Sequence, residues 1–370
     1  MKLIEETKEF LEYIQSLFDK EIYAVGGCVR DLIMGNRPKD YDFCTSLLPD
    51  EIESQLKGIH KTYGMGKRFG TIIFKAKGQE IEITTFRKSE KYGKSRKPEV
   101  EFGTDLLEDL KRRDYTINSI CISCTNFKLI DPFNGQLDIE NKIIRTVGHA
   151  RHRFREDPLR LIRGIRFASR FGFEIEEITK KRMKDMAYSL LRISKERWVS
   201  ELDKILLDKN VYNGLKMLWK LEIFKFIIPE LQLQWEYDQN SRYHNLELWD
   251  HTAHVVESAQ KAGEPIEMLY AATFHDIAKP FVRTNKEIKK EINHPTQGKV
   301  IIPSTKSNYV FHELVGAEIA YKICTYLKFS KKRTEYVVNM IRTHLESDCP
   351  LKKYDDMHKS KLAGELDGIC

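Results

Sequence analysis

The stretch that decides the fold is Glu21-Ile-Tyr-Ala-Val-Gly-Gly-Cys-Val-Arg-Asp31, with Lys39-Asp-Tyr-Asp-Phe-Cys44 shortly after it. The first stretch predicts a strand that ends at two glycines and leads into a short helix. The second predicts another strand, from which Asp40 and Asp42 project on one face because strand side chains alternate. A strand, a helix and further strands within about 100 residues indicate a small α/β domain.

A third carboxylate, Glu82, lies in the apolar strand predicted at residues 81–86. Clustered carboxylates repel each other, and hard oxygen ligands of this kind suit Mg²⁺. Two such ions about 3.5–4 Å apart activate an attacking hydroxyl and stabilise a leaving pyrophosphate. Gly26 and Gly27 let backbone N–H groups approach phosphates. An isolated Asp-x-Asp is also common at turns and solvated strand edges, so both interpretations stay open at this point.

The composition is that of a globular protein with two or three domains. The 370 residues include 62 basic and 55 acidic side chains, a net charge of +7. No apolar run approaches the about 20 residues of a membrane span, and the N-terminus is charged throughout, so we expect a cytoplasmic protein with no membrane partner. Seven scattered cysteines argue against a disulfide framework, and the isolated Cys121–Cys124 pair is not expected to be a metal or redox site.

The excess positive charge is concentrated in residues 142–170, which contain nine basic and two acidic side chains. A basic block in an otherwise neutral chain favours a polyanionic partner such as a nucleic acid or a nucleoside triphosphate. A solvated arginine-rich helix is the alternative. Apolar spacing predicts helices over much of residues 155–228, 248–279 and 311–344. Residues 88–103 are polar and predict a loop.

Five motifs follow one another along the chain. The first is the glycine turn followed by Asp40 and Asp42. The others are the segments Asp109-Leu-Lys-Arg-Arg-Asp-Tyr-Thr-Ile-Asn118, Asp131-Pro-Phe-Asn-Gly135, Glu156-Asp-Pro-Leu-Arg160 and Lys195-Glu-Arg-Trp-Val-Ser-Glu201. In this order they resemble the motifs of class II tRNA nucleotidyltransferases and bacterial poly(A) polymerases, which belong to the polymerase-β superfamily.

This resemblance implies an α+β chain. A small polymerase-β-like nucleotidyltransferase head, a mixed sheet with helices, is expected at residues 1–145. An all-α neck and body with the nucleotide-selecting and RNA-binding region is expected at 146–232, and a helical HD domain at 233–370. Members of the family usually continue further with a helical arm that grips tRNA, whereas this chain has 22 residues after Asp348.

The resemblance also implies roles for single residues. Two Mg²⁺ ions are expected on Asp40, Asp42 and Glu82. Arg113 is expected at a phosphate or paired with an acid, and Asp31 is expected to orient Arg30. The expected nucleotide-binding set, which covers the triphosphate, the ribose and the base, comprises Gly26, Gly27, Arg30, Arg113, Asp114, Asn118, Asp157, Arg160 and Arg163.

Asp157 and Arg160 are three positions apart, and we expect them to share a helix face. In the family this pair reads the nucleobase and selects CTP or ATP without a nucleic-acid template. A routine helix ion pair is the alternative. RNA contacts are expected at Lys94, Arg96, Arg166 and Arg170. The alternative is that these side chains are solvated charges on the surface.

A different chemistry is indicated further along the chain. His251 followed by Phe274-His-Asp-Ile-Ala-Lys279 resembles the HD phosphohydrolases, in which such residues bind a divalent metal. Imidazole with carboxylate suits Mn, Ni, Zn or Fe. We therefore expect a second metal at His251, His275 and Asp276, with His312 and His344 further along the chain and Asp348 as the candidate for the final acid.

The function implied is template-independent addition of CCA to tRNA 3′ ends, with CTP and ATP as substrates. A poly(A) polymerase or a partial A- or CC-adding enzyme shares every motif quoted and stays an alternative. The rival of another class is an HD phosphohydrolase with an RNA-binding head. The sequence does not indicate the oligomeric state.

Overall fold

The computed structural model describes residues 3–91, 99–240, 246–294 and 298–366. Lys94 and Arg96, the expected RNA contacts of the 88–103 segment, lie outside the described residues. The chain divides into two compact units, Met1–Arg192 and Ile193–Cys370. The finer division at residues 145 and 232 stays a prediction. In the described part of the chain, no helix is long and apolar enough to span a bilayer.

The first unit is built on a seven-stranded mixed sheet in the order β3-β4-β5-β2-β1-β8-β9. The strands β2 and β5 are parallel, and the other neighbours are antiparallel. The sheet strands are β1 (Ile22–Val25), β2 (Tyr41–Thr45), β3 (Thr62–Tyr63), β4 (Thr71–Ala76), β5 (Gln79–Thr85), β8 (Cys121–Ser123) and β9 (Leu129–Ile130).

Short helices lie between these strands. They are α1 (Glu5–Ser16), α2 (Gly27–Ile33), α3 (Pro49–Leu56), α4 (Leu106–Lys111) and α5 (Gly135–Glu140), with 3₁₀ turns at Gly64–Phe69 and Thr116–Asn118. The helix α1 buries Phe10, Leu11 and Ile14 at the helical spacing that predicted it. A buried cluster includes Cys44 of the strand that carries Asp42, together with Val25, Phe86, Leu110 and Cys121. Cys121 and Cys124 are buried free thiols.

The predicted loop at 88–103 is partly wrong, because its two ends form a hairpin. Strands β6 (Arg87–Lys91) and β7 (Glu99–Phe102) pair antiparallel, with a register shift near Arg87 and Ser89. The strand β6 is wholly polar, and the alternation of Glu99, Val100, Glu101 and Phe102 in β7 covers only four residues, which is too short to distinguish a strand from a loop in the sequence.

The rest of the first unit is mainly helical. Its elements are β10 (Ile143–Ile144), α6 (Ala150–Glu156), α7 (Arg160–Phe171), β11 (Glu174–Ile175), α8 (Glu177–Met186) and a 3₁₀ segment at Ala187–Arg192. The central helix α7 packs closely on Tyr115, whose hydroxyl donates to the Arg160 carbonyl at 2.6 Å. A Cβ at Gly164 would lie 2.1 Å from that hydroxyl oxygen, so the contact requires glycine.

The second unit is a helical assembly with one added hairpin. Its helices are α9 (Lys195–Leu206), α10 (Val211–Lys220), α11 (Phe224–Ile227), α12 (Pro229–Gln232), α13 (Leu248–Lys261), α14 (Ile266–Phe274), α15 (Lys279–Val282), α16 (His312–Tyr326), α17 (Lys331–Thr343) and α18 (Pro350–Leu366). Strands β12 (Thr284–His294) and β13 (Gly298–Asn308) pair antiparallel. The α+β class is confirmed, and this hairpin is an addition that the sequence pattern was not used to predict.

Candidate active site and candidate metal centre

The carboxylates Asp42 and Glu82 are direct partners across two neighbouring strands. Asp42 lies on β2 and Glu82 on β5, and the parallel register pairs their Cα positions. Asp42 is the exposed residue of an otherwise buried strand, and Asp40 precedes that strand by one position. Since paired residues share a sheet face, both side chains project on the side where water is accessible.

Ionisation of Asp42 and Glu82 is made less favourable by loss of hydration and by neighbouring negative charges. Loss of hydration raises the pKa of Asp42, Arg113 opposes this effect, and Asp40 adds to it. Loss of hydration followed by the charges of Asp42, Glu80 and Asp40 raises the pKa of Glu82. A divalent cation would relieve this repulsion with the hard oxygen ligands it prefers. Among the described residues, the ligand-atom sets that lie within 4.8 Å do not include these three carboxylates.

The glycine turn beside the carboxylates requires Gly26. Its φ is +77°, a left-handed conformation, and a Cβ there would lie 3.3 Å from Nη1 of Arg113. Gly26 precedes the first turn of α2, which begins at Gly27. Its N–H donates to the Ile120 carbonyl at 3.2 Å. Glycine thus lets the Arg113 guanidinium lie directly against the turn.

Asp109 holds Arg113 in that place, a role that the sequence did not indicate. One Asp109 oxygen accepts from Arg113 at 3.0 Å and the other from Arg112 at 2.6 Å and from the Arg87 backbone N–H at 3.0 Å. Burial by itself would raise the pKa of Asp109, but Arg113 and Arg112 outweigh it and lower the pKa to about 2. The spacing of four between this acid and Arg113 on a helical segment was the available signal.

Four of the predicted nucleotide-binding residues form one hydrogen-bonded chain. Arg30 donates to the Asn118 side-chain oxygen at 2.6 Å, and Asn118 donates to Asp114 at 3.2 Å. Asp114 also accepts two bonds from Arg163, at 2.9 and 2.6 Å. Burial would raise the pKa of Asp114, but Arg163 and Arg160 lower it to about 2.

Arg30 is fixed on two further sides. Asp31 accepts from its Nε and Nη2 at 3.0 and 2.8 Å, the contact expected for a residue that orients it. The guanidinium also lies over the ring of Phe171, with 4.5 Å between its central carbon and the ring centroid. Such a planar, pre-oriented guanidinium suits phosphate recognition.

The expected shared helix face of Asp157 and Arg160 is wrong. Asp157 follows α6 with an extended backbone (φ −140°, ψ 102°), and α7 begins only at Arg160. The physical reason is Pro158, which disfavours helical backbone at the residue before it. One Asp157 carboxylate oxygen instead accepts from the Leu159 N–H at 3.1 Å.

The guanidinium of Arg160 is hydrogen-bonded to three acceptors within the protein. It donates to Glu156 at 2.8 Å, to the Arg153 carbonyl at 3.2 Å and to the Arg112 carbonyl at 2.8 Å. The side chains of Asp157 and Arg160 are both buried, although the two belong to different local structures. Glu156, which the sequence placed in the motif without a role, is the acid that pairs with Arg160.

The predicted RNA-contacting arginines lie on α7. The Arg166 guanidinium lies over the Phe167 ring at 4.4 Å, and the Arg170 guanidinium lies 5.6 Å from the Phe171 centroid. Arg170 is exposed, whereas Arg166 is half-buried. These contacts orient the two side chains without identifying an RNA ligand.

A separate cluster occupies the interior of the second unit. The Nε2 atoms of His251 and His275 lie 3.3 Å apart, and Oδ2 of Asp276 lies 3.4 and 3.2 Å from them. These residues are among the most buried in the chain and their ligand atoms converge within metal-binding distance. The donor set fits a divalent ion of the borderline class, since imidazole nitrogen and carboxylate oxygen are both present.

The final acid of this cluster is Asp355, and the choice of Asp348 was wrong. Oδ1 of Asp355, on α18, lies 3.1 Å from Nε2 of His251. Asp348 lies before α18 in a turn, whereas the residue seven positions later is carried inward by the helix. His312 and His344 join the cluster, since they form a second set of converging ligand atoms with Asp276.

Family models match three successive segments of the chain. Residues 22–145 match the poly A polymerase head domain, residues 172–234 the probable RNA and SrmB-binding site of polymerase A, and residues 248–361 the HD domain. The first contains the carboxylates and the glycine turn, and the third contains the histidine cluster.

Curated relatives and solved structures agree with these matches. The chain is 42% identical over 227 residues to the CCA-adding enzyme of Staphylococcus epidermidis, covering 61% of this chain and 56% of that protein. It is 44% identical over 226 residues to the enzyme of Staphylococcus aureus strain RF122, with 61% and 55% covered. The chain thus spans little more than half the length of these relatives.

Two structural neighbours extend over nearly the whole chain. The CCA-adding enzyme of Bacillus stearothermophilus in complex with CTP has a TM-score of 0.57 and 26% identity, covering 98% of this chain and 83% of that one. The Thermotoga maritima CCA-adding enzyme complexed with tRNA shares the fold, with a TM-score of 0.61, 22% identity, and 94% and 71% covered. The motifs, the fold and these matches together confirm the predicted resemblance: the chain is similar to class II tRNA nucleotidyltransferases and bacterial poly(A) polymerases in its first unit and to HD domains in its second.

Proposed function

We propose that this protein adds C, C and A to the 3′ end of tRNA, taking CMP from CTP and AMP from ATP. The observation that carries the proposal is the pairing of Asp42 with Glu82, with Asp40 one position before the strand and Arg113 beside the glycine turn. Relatives named CCA-adding enzymes at 42–44% identity support this activity over a poly(A) polymerase or a partial A- or CC-adding enzyme. We propose the cytoplasm as its location, where a tRNA substrate would be available.

Asp40, Asp42 and Glu82 are the residues that would hold two Mg²⁺ ions. When bound, such ions lower the cost of charge on the attacking 3′ hydroxyl and on the leaving pyrophosphate. The chain's own residues supply position and charge. Arg30, held by Asp31 and Asn118, presents its guanidinium to a triphosphate, and Arg113 adds a second cation beside Gly26. Preorganised charges of this kind contribute a large share of catalysis in phosphoryl transfer.

The nucleotide would be read further along the same unit. Asp114, bound to Asn118 and Arg163, is assigned to the ribose, with its carboxylate held ionised as a hydrogen-bond acceptor. Asp157 and Arg160 are assigned to the nucleobase edge. Since Arg160 is bound to Glu156 and to two backbone carbonyls, base reading requires that at least one of these bonds is exchanged.

The family resemblance also implies the bounds of the domains and the RNA contacts. We propose the head at residues 1–145, the neck and body at 146–232 and the HD domain at 233–370. RNA contacts are assigned to Arg166 and Arg170 on α7, together with Lys94 and Arg96. The arginines Arg166 and Arg170 lie close to the Arg30 and Arg163 region through the shared Phe167 and Phe171 rings.

The test is extension of a labelled tRNA that lacks its 3′ CCA, with Mg²⁺ and CTP, ATP or both, read at single-nucleotide resolution. Addition of two C residues with CTP alone, and of C, C and A followed by arrest with both, is expected. Open-ended addition of A would favour the poly(A) alternative instead. The variant Asp40→Asn/Asp42→Asn should be inactive, and Glu80→Gln, one pleat from Glu82 on the same face, is the matched control. Equal activity of the double variant and the native chain would rule out the proposal.

The second unit supports another candidate activity, metal-dependent hydrolysis of phosphate esters. The observation that favours it is the convergence of His251, His275 and Asp276, to which we assign one divalent ion of Mn, Ni, Zn or Fe, with Asp355 as a further ligand. Hydrolysis of bis(p-nitrophenyl) phosphate that depends on such an ion and is lost in His275→Ala/Asp276→Ala would support this activity. Hydrolysis that persists in the variant would exclude it.

A further inference from the structure

Tyr115 connects the segment assigned to the ribose with the helix that carries the arginine assigned to the base. It directly follows Asp114 in the chain, and its backbone N–H donates to that carboxylate at 2.8 Å. Its side chain is completely buried and lies edge-on to Phe167 of α7, with 5.9 Å between the ring centroids and 81° between the ring planes. The tyrosine ring is therefore fixed between the two segments.

The hydroxyl of Tyr115 contacts both partners of one helical hydrogen bond. It donates to the Arg160 carbonyl at 2.6 Å, and the backbone N–H of Gly164 interacts with the same hydroxyl oxygen. In an α-helix, the carbonyl of one residue is the acceptor for the N–H of the residue four positions later. Arg160 and Gly164 are such a pair in the first turn of α7. The hydroxyl thus enters the hydrogen-bond pattern of the helix at the point where the helix begins.

The space for this hydroxyl exists because position 164 has no side chain. A Cβ there would lie 2.1 Å from the hydroxyl oxygen and 2.4 Å from the Met183 side chain. The hydroxyl occupies the place that a methyl group would need. Burial and the charge of Asp114 raise the pKa of Tyr115 well above its usual value, so the hydroxyl keeps its hydrogen and remains the donor to the Arg160 carbonyl.

Neighbouring residues of the same segment contact α7 at two further points. The Arg112 carbonyl accepts from the Arg160 guanidinium at 2.8 Å, and Asp114 accepts two bonds from Arg163, at 2.9 and 2.6 Å. These contacts hold side chains, which can exchange partners when a nucleotide binds. The Tyr115 hydroxyl instead holds the backbone of Arg160. It therefore determines the position from which the arginine side chain extends.

We propose that Tyr115 is a positioning residue for nucleobase selection, because its hydroxyl fixes the backbone of Arg160 relative to the ribose site at Asp114. This inference rests on the proposed function and deepens it. Base reading requires the Arg160 guanidinium to exchange at least one of its acceptors. A fixed backbone limits the positions that the released guanidinium reaches, so its donors meet the edge of the correct base and miss that of the wrong one.

The test compares nucleotide selectivity between the native chain and Tyr115→Phe. On tRNA that lacks its 3′ CCA, kcat/KM for CTP is divided by that for UTP, and on tRNA that ends in CC, the value for ATP is divided by that for GTP. Removing the hydroxyl should lower both ratios by about 3- to 10-fold, the factor that corresponds to one neutral hydrogen bond. The kcat with CTP should change less than either ratio, because the carboxylates of the metal site are untouched.

Two matched variants separate positioning from packing. Thr85→Val removes another buried hydroxyl of the first unit, which donates to the Leu47 carbonyl at 2.7 Å, and it should leave both ratios unchanged. Tyr115→Phe/Gly164→Ala places a methyl group where the hydroxyl was. This double variant should be more stable to heat than Gly164→Ala, which keeps the hydroxyl that its methyl group would meet, but it should not have the native selectivity.

The other outcomes overturn defined statements. Unchanged ratios in folded Tyr115→Phe, with a native chain that adds C and A, would overturn this inference and leave the proposed function standing. If circular dichroism shows that Tyr115→Phe is unfolded, the ratios of the double variant decide in the same way. Native selectivity in the double variant, or an equal loss of selectivity in Thr85→Val, would attribute the ratios to packing and overturn the inference. A native chain that adds neither nucleotide would overturn the proposed function and this inference together.

Discussion

Asp42 and Glu82, forty positions apart in the chain, are direct partners on the parallel strands β2 and β5. The two residues are too far apart in the sequence for local spacing to predict this pairing. The register arises because β5 enters the sheet beside β2 after passing through β3 and β4. The pairing places the third acid beside the Asp-x-Asp motif, and the charges of Asp42 and Asp40 help to raise the pKa of Glu82.

Replacing Glu82 by Gln should lower the rate of nucleotide addition by about 100-fold or more, because metal ligands supply several kcal/mol of charge stabilisation in the transition state. Single-turnover extension of tRNA measures this rate. The variant Glu80→Gln removes a neighbouring charge from the same strand face, so it should retain activity within a few-fold. Equal losses in both variants would attribute the effect to general charge and not to a ligand at position 82.

Replacing Asp109 by Asn should weaken the hold on Arg113 and lower the free energy of unfolding by about 3 kcal/mol, since two arginines lose their buried counter-charge. As a positioning residue, Asp109 should affect KM for the nucleotide more than kcat. Urea unfolding and steady-state extension measure the two effects. Glu108→Gln, on the same helix α4, is the control. A stability loss with unchanged KM would assign Asp109 a structural role only.

The stability of the first unit should depend on pH through Asp114. The pKa of this carboxyl is about 2 in the folded protein, below its unfolded value of about 3.9. The stabilisation is therefore complete above pH 5 and declines as the pH falls toward 2. Between pH 5 and pH 3 the native chain should lose about 1 kcal/mol more than Asp114→Asn.

Urea unfolding at a series of pH values measures this difference. The variant Asp31→Asn, in which another carboxylate beside Arg30 is neutralised, shows whether the dependence is specific to position 114. Parallel stability curves for the native chain and Asp114→Asn would contradict the prediction.

A methyl group at position 164 should destabilise the protein by about 1–3 kcal/mol, although alanine is a better helix former than glycine. The added Cβ would lie 2.1 Å from the Tyr115 hydroxyl and 2.4 Å from the Met183 side chain. Thermal unfolding measures the loss, and Arg170→Ala on the exposed side of α7 is the control. A Gly164→Ala variant as stable as the native chain would show that Tyr115 and Met183 shift at little cost.

Local sequence was sufficient for features that depend on neighbouring residues. The glycine turn after β1, the Asp-x-Asp strand and the spacing of the His-Asp pair are short-range patterns whose geometry follows from strand alternation and from backbone freedom at glycine. Pro158 was a local signal as well, and it accounts for the extended backbone at Asp157 that the i, i+3 spacing to Arg160 did not anticipate. The family resemblance was carried by such ordered local motifs.

The β6–β7 and β12–β13 hairpins and the partners of the site were decided only in three dimensions. The strands of both hairpins mix polar and apolar residues without a long alternating pattern, and their pairing is apparent only in the structure. Asp355 lies 3.1 Å from His251 although the two are 104 positions apart, and the i, i+4 spacing of Asp109 and Arg113 did not reveal that Asp109 also binds Arg112 and the Arg87 backbone N–H.

The sequence by itself determined which residues carry chemistry and the kind of fold that holds them, because residue type and short spacing define donors, acceptors and local backbone. Only the tertiary structure decided which of them meet. Long-range contacts depend on strand register and helix packing, which are set by the burial of the whole chain. For this reason Asp276 is recognisable from sequence as a candidate metal ligand, whereas its place between two histidine pairs is visible only in the folded protein.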